Sequence, residues 1–333
     1  MKSSEHAPLA PTLVDVARQA GVNKVTASVV LSGGQGNTRV SEQTRQRILL
    51  AAEALHYQPN ALARSLRSRR THTVGFYMSE FVDLRDLFMT EIISGLHQGC
   101  QENKHDFLMH GTFRGRSTDE IYAHLLNGKV DGLVLHVDSN DPLLPRLADS
   151  RLRVVAVANP VPSLPSVTVD DAAGSRLLAQ HLAGKGYTRI VYAACPHALS
   201  SVVRREKAFL DAASALGLTV AARPMDAEGG VPDGFLSLPG GGRARALVCW
   251  NDLVAYRLIT HFRLQGLRVP EDLAVAGFDG MASEIPPAYR LTTLRAPWHE
   301  VARAAVSLLC LSPGKPPLEE TVLPVHLVAG ETT

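Results

Sequence analysis

The sequence predicts an α/β protein with a small N-terminal head (residues 1–71) of short helices and a larger body (residues 72–333) built on parallel sheets. Three observations predict this fold class. Basic residues are concentrated in the head, three helix patterns follow one another within it, and short apolar runs alternate with helical stretches throughout the body. A chain of 333 residues is long enough for two or three domains.

Composition excludes several classes of protein. The four cysteines lie far apart without CxxC spacing, which argues against a zinc site or a disulfide framework and fits a reducing, cytoplasmic compartment. No apolar run approaches the ~20 residues of a membrane helix. The first residues also lack the apolar core of a secretory signal. We therefore expect a cytoplasmic protein with no membrane partner.

Charge is distributed unevenly along the chain. The head contains ten lysines and arginines and four acidic residues, a net charge of +6, so the body has a net charge of −4. A basic segment attached to a mildly acidic body suggests that the head contacts a polyanion.

The head reads as three capped helices. Thr12 can cap the first helix while Asp15 returns the bond, Asn23 can cap a second helix over residues 24–31, and Ser41 can cap a third. A tight Ala-Gly turn between the first two makes a helix-turn-helix unit. Its second helix could enter the major groove of DNA and present its first residues to base edges. A purely structural three-helix bundle is the alternative.

A short basic helix is predicted after Pro59, with Asn60 as its cap. At about two turns it is below the ~12–15 residues that an isolated helix needs in water. Its arginines suit phosphate groups, and Leu66 is an apolar side chain with no evident core. Such a leucine can wedge into a minor groove and kink DNA. A solvated linker is the alternative.

The body alternates strands and helices, which predicts parallel sheets covered on both faces. The pattern allows one large sheet or two lobes. Predicted strands cover residues 74–78, 107–111, 132–137, 154–158, 190–194, 246–250 and 273–278. Predicted helices include residues 85–103, 171–185, 204–216 and 252–265.

The segments TLVDVARQAGV, VTAS, VVLS, RVSEQTRQRI and YQPNALARSLRSRRTHTVGF resemble, in this order, the lactose-repressor/galactose-repressor family of bacterial transcription regulators. The resemblance implies a helix-turn-helix DNA-binding domain at residues 10–58, a hinge helix and linker at 59–71, and an effector-binding and dimerisation core at 72–333. This core would be two-lobed and similar to periplasmic binding proteins. Lobe 1 would span about 72–169 and 295–322, and lobe 2 about 170–294 and 323–333.

The resemblance also implies roles in DNA binding. Lys24 and Val25 match the pair that selects the operator, and Leu66 matches the hinge leucine. The implied DNA-binding residues are Thr12, Asn23, Lys24, Val25, Thr26, Ser28, Val29, Asn60, Ala63, Leu66 and Arg67. The sequence departs from the family at Val29, where Arg is usual, and at Ser32, where Asn is usual. An operator other than the family's common consensus is therefore expected.

Polar residues at strand ends form the second predicted site, at the carboxyl ends of parallel strands where α/β sheets bind ligands. With the resemblance, the implied effector-binding residues are Phe88, Asn159, Arg205, Trp250, Asn251, Asp279 and Trp298. The alternative for each is structural, because a strand-end Trp is usually core and an Asp there often caps a helix. Gly280 replaces the family's second Asp. The Gly- and Pro-rich segment 226–245 replaces a usual helix.

No catalytic motif is present: the sequence lacks GxGxxG after the first strand, GxxxxGK[ST], HExxH and GxSxG. No metal and no cofactor are expected. The sequence thus predicts a repressor, not an enzyme, that binds a near-palindromic double-stranded operator as a homodimer and responds to a small-molecule effector, a sugar or sugar derivative. The alternative is a solute-binding or sugar-modifying protein with an unrelated basic head.

Overall fold

The computed structural model describes residues 11–31, 40–79, 86–111, 113, 115–196, 199–225, 230–239, 241–242, 244–281, 289–311 and 314–333. The chain divides into two compact units, residues 1–71 and residues 72–333, which coincide with the head and the body. Ser32 lies outside the described residues. No helix in the described ranges is long and apolar enough to cross a bilayer.

The head contains four helices: α1 (Leu13–Gln19), α2 (Lys24–Leu31), α3 (Glu42–Ala54) and α4 (Ala61–Ser68). The predicted caps are present. Thr12 and Asp15 form a reciprocal capping box on α1, and Ser41 Oγ accepts from Thr44 N on α3. The amide N–H of Thr26 donates to Asn23 Oδ1 over 2.7 Å. The first three helices share a small core that includes Val16, Ala27, Val30, Ile48 and Ala51.

Six parallel strands form the first sheet of the body, in the order β2-β1-β3-β4-β5-β11. They are β1 (Thr73–Met78), β2 (Asp106–Met109), β3 (Gly132–His136), β4 (Arg153–Val157), β5 (Ser166–Val169) and β11 (Glu320–Leu323). The helices between or after them are α5 (Leu87–Glu102), α6 (Thr118–Leu125), α7 (Leu144–Asp149) and α11 (Trp298–Leu311). Gly95 lets α5 approach α11 closely, because a side chain there would collide with the carbonyl oxygen of His299.

Four parallel strands form the second sheet, in the order β7-β6-β8-β9. They are β6 (Arg189–Ala194), β7 (Thr219–Pro224), β8 (Ala246–Cys249) and β9 (Ala274–Ala276), with α8 (Asp171–Gly184), α9 (Ser200–Ala215) and α10 (Asp252–Leu264). Near the C-terminus, β10 (Thr293–Arg295) pairs antiparallel with β12 (His326–Val328). The body therefore does not form the single large sheet that the sequence left open, because its parallel strands are divided between two separate sheets.

Two differences from the sequence expectations concern helix starts. The helix predicted from residue 204 begins at Ser200, one turn earlier, which puts two serines and two arginines on its first turns. The helix predicted from residue 85 begins at Leu87, because Asp86 caps it through the amide N–H of Phe88. The described residues of segment 226–245 form turns and no helix, in agreement with their composition.

Candidate DNA interface and effector site

The first turn of α2 faces solvent. Lys24 is exposed and Val25 has 67% of its surface exposed, whereas Ala27 and Val30 on the opposite side are buried in the core of the head. The Thr26 hydroxyl donates to Asn23 Oδ1 over 2.9 Å, which fixes the polar side chains at the start of the helix. The structure thus leaves the two predicted operator-selecting side chains free of the core.

The other predicted DNA-contacting residues of the helix-turn-helix differ in their exposure to solvent. Thr12 and Asn23 are exposed and each caps its helix, whereas Ser28 and Val29 are half-buried. Val29 is an apolar side chain where a guanidinium is usual in the family, so it can contact a thymine methyl but cannot donate to a guanine.

Helix α4 presents apolar and basic side chains to solvent. Leu66 has 83% of its surface exposed, and Ala63 and Arg64 are exposed as well. Asn60 caps the helix by accepting from the amide N–H of Ala63 over 3.2 Å. The side chain of Arg67 lies outside the described residues. None of the described side chains of α4, at positions 63–66 and 68, is buried, so these side chains add no core packing to this eight-residue helix.

Arg205 is the centre of a buried polar cluster in the body. It is 5% exposed, and its Nε–H donates to Asp171 Oδ1 over 2.8 Å. One terminal nitrogen donates to the carbonyl oxygen of Trp250 over 3.0 Å and lies 3.6 Å from Asp279 Oδ1. The guanidinium also stacks 3.6 Å above the ring of Phe278. The helix α9, the strand-end turns of the second sheet and the start of α8 all contribute to this cluster.

Asp279 is held between Arg205 and Trp298. It is buried, and its Oδ1 accepts from the indole Nε1–H of Trp298 over 3.1 Å. Its φ of 122° is a conformation that few residues other than glycine adopt. Burial raises the pKa of Asp279 well above its ordinary value, against the attraction of the Arg205 guanidinium. Trp298 in turn meets Phe88 edge-on with ring centroids 5.0 Å apart.

Two predicted residues have structural partners of their own. Asn251 Oδ1 caps α10 by accepting from the amide N–H of Val254 over 2.8 Å. Helix capping is the structural role that the sequence left open as the alternative to effector binding. Asn159 is buried and accepts at Oδ1 from the Ser201 hydroxyl over 2.6 Å. Arg205, Asp279, Trp298 and Phe88 are thus brought together, and Asn159 is tied to the first turn of the helix that carries Arg205.

The sequence interpretation missed Asp171, and it assigned no role to Phe278 or Asp252 at the strand ends where they lie. Asp171 opens α8 with 1% of its surface exposed and binds the Arg205 guanidinium. Its signal was an Asp doublet directly after an apolar strand. Phe278 lay inside a predicted strand end and carried no signal beyond its ring. No group of three metal-ligating side chains that could hold an ion occurs in the described part of the chain.

Asp252 makes the pH dependence of stability predictable. It is buried, and its carboxyl contacts the hydroxyl of Thr293 over 2.5 Å and accepts from the amide N–H of Met281 over 3.0 Å. Burial raises its pKa to about 6 against these bonds. Because the pKa of Asp252 is higher in the folded than in the unfolded protein, the protonated carboxyl contributes stability, and this contribution is complete below the unfolded pKa of about 4. The contribution is lost as pH rises from about 4 to about 6.

We therefore expect Asp252→Asn to gain stability relative to the wild type as pH rises. A neutral amide can donate to Thr293 Oγ1 and accept from Met281 N, as the protonated acid would. The difference in unfolding free energy between variant and wild type should shift by about 2–3 kcal/mol in the variant's favour between pH 4 and pH 7. Urea unfolding at both pH values checks this, with the exposed Asp149→Asn as the matched control. Parallel stability curves for the variant and the wild type would contradict it.

A helix-turn-helix head joined to a body of two parallel α/β sheets defines the class of DNA-binding bacterial regulators. Comparisons with known proteins agree. Residues 12–60 match the family "Bacterial regulatory proteins, lacI family" and residues 179–333 match the "Periplasmic binding protein-like domain". The chain is 30% identical to an HTH-type transcriptional regulator of Mycolicibacterium smegmatis, with 100% of this chain and 99% of the relative covered. The chain belongs to the lacI family of bacterial regulatory proteins, which confirms the predicted family and fold class.

Further similarities cover almost the whole chain. It is 28% identical to the HTH-type transcriptional repressor PurR of Photobacterium profundum, over 90% of each chain. The lac repressor dimer bound to operator and the anti-inducer ONPF superposes with a TM-score of 0.80 at 22% identity, covering 97% of this chain and 99% of that one. The complex of the transcriptional regulator CelR with cellobiose gives a TM-score of 0.66 at 26% identity, covering 97% and 100%.

Proposed function

We propose that this regulator is a repressor that binds a near-palindromic operator as a homodimer and is controlled by a small molecule held in its body. The observation that carries the proposal is the exposed first turn of α2, where Lys24 and Val25 face solvent at the start of a helix in a basic head. A helix presented in this way can enter the major groove with its N-terminal side chains at the base edges.

The symmetry of the operator follows from the symmetry of the protein. Two heads in a twofold dimer read two half-sites, so the site must be a near-palindrome. The two α4 helices would meet at its centre, where their Leu66 side chains can enter the minor groove. The similar lac repressor structure is described as a dimer bound to operator, which supports this arrangement.

For the effector we propose a sugar or sugar derivative. Asp279 and the Arg205 guanidinium offer a hydrogen-bond acceptor and donors, while Phe88 and Trp298 offer ring faces and edges for an apolar sugar surface. The complex of CelR with cellobiose, at 26% identity, supports a carbohydrate. The proposal needs no cofactor and no catalytic step, and it places the protein in the cytoplasm with the DNA. Because the matches span both head and body, it is favoured over a solute-binding or sugar-modifying protein with an unrelated head.

Selection of bound duplexes from a random pool tests the proposal. We expect the full chain to enrich a near-palindromic sequence and to bind it with an affinity that falls steeply as salt rises, because binding releases the counterions condensed on the phosphates. A scrambled duplex of the same composition is the control. No enrichment, or an affinity that does not change with salt, would favour the alternative function.

A further inference from the structure

The first turns of α9 contact the first sheet as well as the second. The Ser200 hydroxyl donates to the carbonyl oxygen of Pro160 over 2.9 Å, and the Ser201 hydroxyl donates to Asn159 Oδ1 over 2.6 Å. Pro160 and Asn159 lie in the turn after β4, in the half of the body built on the first sheet, whereas α9 packs beside α8 and β7. The N-terminus of α9 is therefore a junction between the two halves.

Arg204 strengthens this junction with a forked ion pair. Its two terminal nitrogens donate to the two carboxylate oxygens of Glu320, over 2.7 Å and 3.2 Å. Glu320 begins β11, the edge strand of the first sheet, and also accepts from the Thr168 hydroxyl on β5 over 2.6 Å. A forked Arg–carboxylate pair of this kind fixes orientation as well as distance.

Asp171 connects this ion pair to the buried cluster around Arg205. One of its oxygens accepts from Arg205 over 2.8 Å, and the other accepts from Arg204 over 3.3 Å. Asp171 is 1% exposed, so its carboxylate has two guanidinium groups and no bulk water as partners. Contacts thus run from Glu320 through Arg204 and Asp171 to Arg205 and Asp279.

Glu320 is ionised in this arrangement. Burial alone would raise its pKa, but the hydrogen bonds from Arg204 and Thr168 outweigh burial and hold the pKa below its ordinary value. The side chains of Arg204 and Glu320 are 38% and 33% exposed, so the pair is partly shielded from salt while it can still open to solvent. These are the properties of a contact that can form and break.

We infer that the Arg204–Glu320 pair is a latch between the two halves of the body and that it positions Asp171 for Arg205. The regulatory role of this latch at the effector site rests on the proposed function. A small molecule that binds Arg205 competes with the hydrogen bond from Arg205 to Asp171, and this changes the position of the Asp171 carboxylate relative to Arg204. Through the latch, this alters how firmly the edge strand of the first sheet is held to α9, so ligand binding in the body and the angle between its halves are coupled.

A distance measurement between spin labels tests the latch without any ligand or DNA. Labels are placed on exposed positions by Ala123→Cys on α6 and Leu264→Cys on α10. The half-buried Cys195 and Cys310 are replaced by serine, and the other two cysteines are buried. Dilution with excess unlabelled protein restricts the measurement to distances within one protomer. We expect a narrow distribution with the latch intact, and a broader distribution shifted to longer distances for Glu320→Gln and for Arg204→Gln.

Two further variants separate a positioning role from general destabilisation. Lys207→Gln breaks an exposed ion pair with Asp211 on the same helix, and its distance distribution should equal that of the wild type. Arg204→Lys keeps the charge and should recover most of the narrow distribution. Distributions for Glu320→Gln and Arg204→Gln that superimpose on that of Lys207→Gln would overturn the latch, whatever the DNA measurements show. A lengthened distance in a chain that binds no duplex would keep the latch and remove the proposed function.

Discussion

Replacing Leu66 with alanine should lower the affinity for the selected operator duplex by at least about fiftyfold, while ligand binding by the body stays unchanged. Leu66 is 83% exposed, so truncating it removes little from the packing of the free head. In the complex its side chain would be buried between base steps. Losing about three carbons of buried apolar surface costs roughly 2.4 kcal/mol for each Leu66 side chain, which is about a fiftyfold change in affinity at 1.4 kcal/mol per tenfold, and the proposed dimer carries two such side chains.

The matched control is Leu264→Ala, which truncates an 85% exposed leucine at the end of α10 in the body. Its duplex affinity should equal that of the wild type. Titration of a labelled duplex with each variant at one fixed salt concentration gives both numbers. Equal operator affinity for Leu66→Ala and the wild type would show that this side chain does not enter the minor groove.

Asp279→Ala should abolish the response to ligand while DNA binding is retained. Asp279 accepts the indole N–H of Trp298 and lies 3.6 Å from a terminal nitrogen of Arg205. Its removal therefore frees two predicted effector-contacting side chains at once and leaves a buried guanidinium with one carboxylate fewer. The readout is the change in duplex affinity caused by a saturating sugar that raises the melting temperature of the wild type. We expect a change of tenfold or more for the wild type and none for the variant.

Asp279→Asn is the milder companion variant. It keeps an oxygen that accepts from Trp298, and asparagine tolerates the positive φ at this position better than alanine. We expect it to retain part of the ligand response. Asp272→Asn, which alters a half-buried carboxylate paired with Arg268 in the same half of the body, should respond like the wild type. A full response in Asp279→Ala would remove Asp279 from the effector site.

Features determined by local sequence were predictable. Thr12, Asn23, Ser41 and Asn60 each cap the helix that the sequence assigned to them, because a cap depends on the three residues that follow it. The parallel sheets were also predictable, because the alternation of strands and helices can be read from short stretches of consecutive residues. The sequence did not predict strands β5, β7, β10, β11 and β12, which are short or partly exposed. For example, β11 pairs with β5, some 150 residues away in the chain, and the residues of β11 are mostly exposed. Nothing local marks such a strand.

The candidate site was predictable only in part. The family resemblance pointed to Arg205, Asp279 and Trp298, and the structure brings these three side chains together. It could not point to the buried partners of Arg205, since Asp171 and Phe278 owe their roles to the way that α8 and the end of β9 meet α9. The Arg204–Glu320 pair was likewise invisible, because it joins residues more than a hundred positions apart.

In the proposed function, the head binds duplex DNA as a symmetric pair and the body adjusts this binding when it holds a small molecule. The most direct test is the affinity of the wild-type protein for its selected duplex with and without a sugar that stabilises the protein, together with the reverse titration. We predict that the sugar changes duplex affinity and that the duplex changes sugar affinity by the same factor, as linkage requires. Tight binding of both, with neither affinity altered by the other, would contradict the proposed coupling between the body and the head.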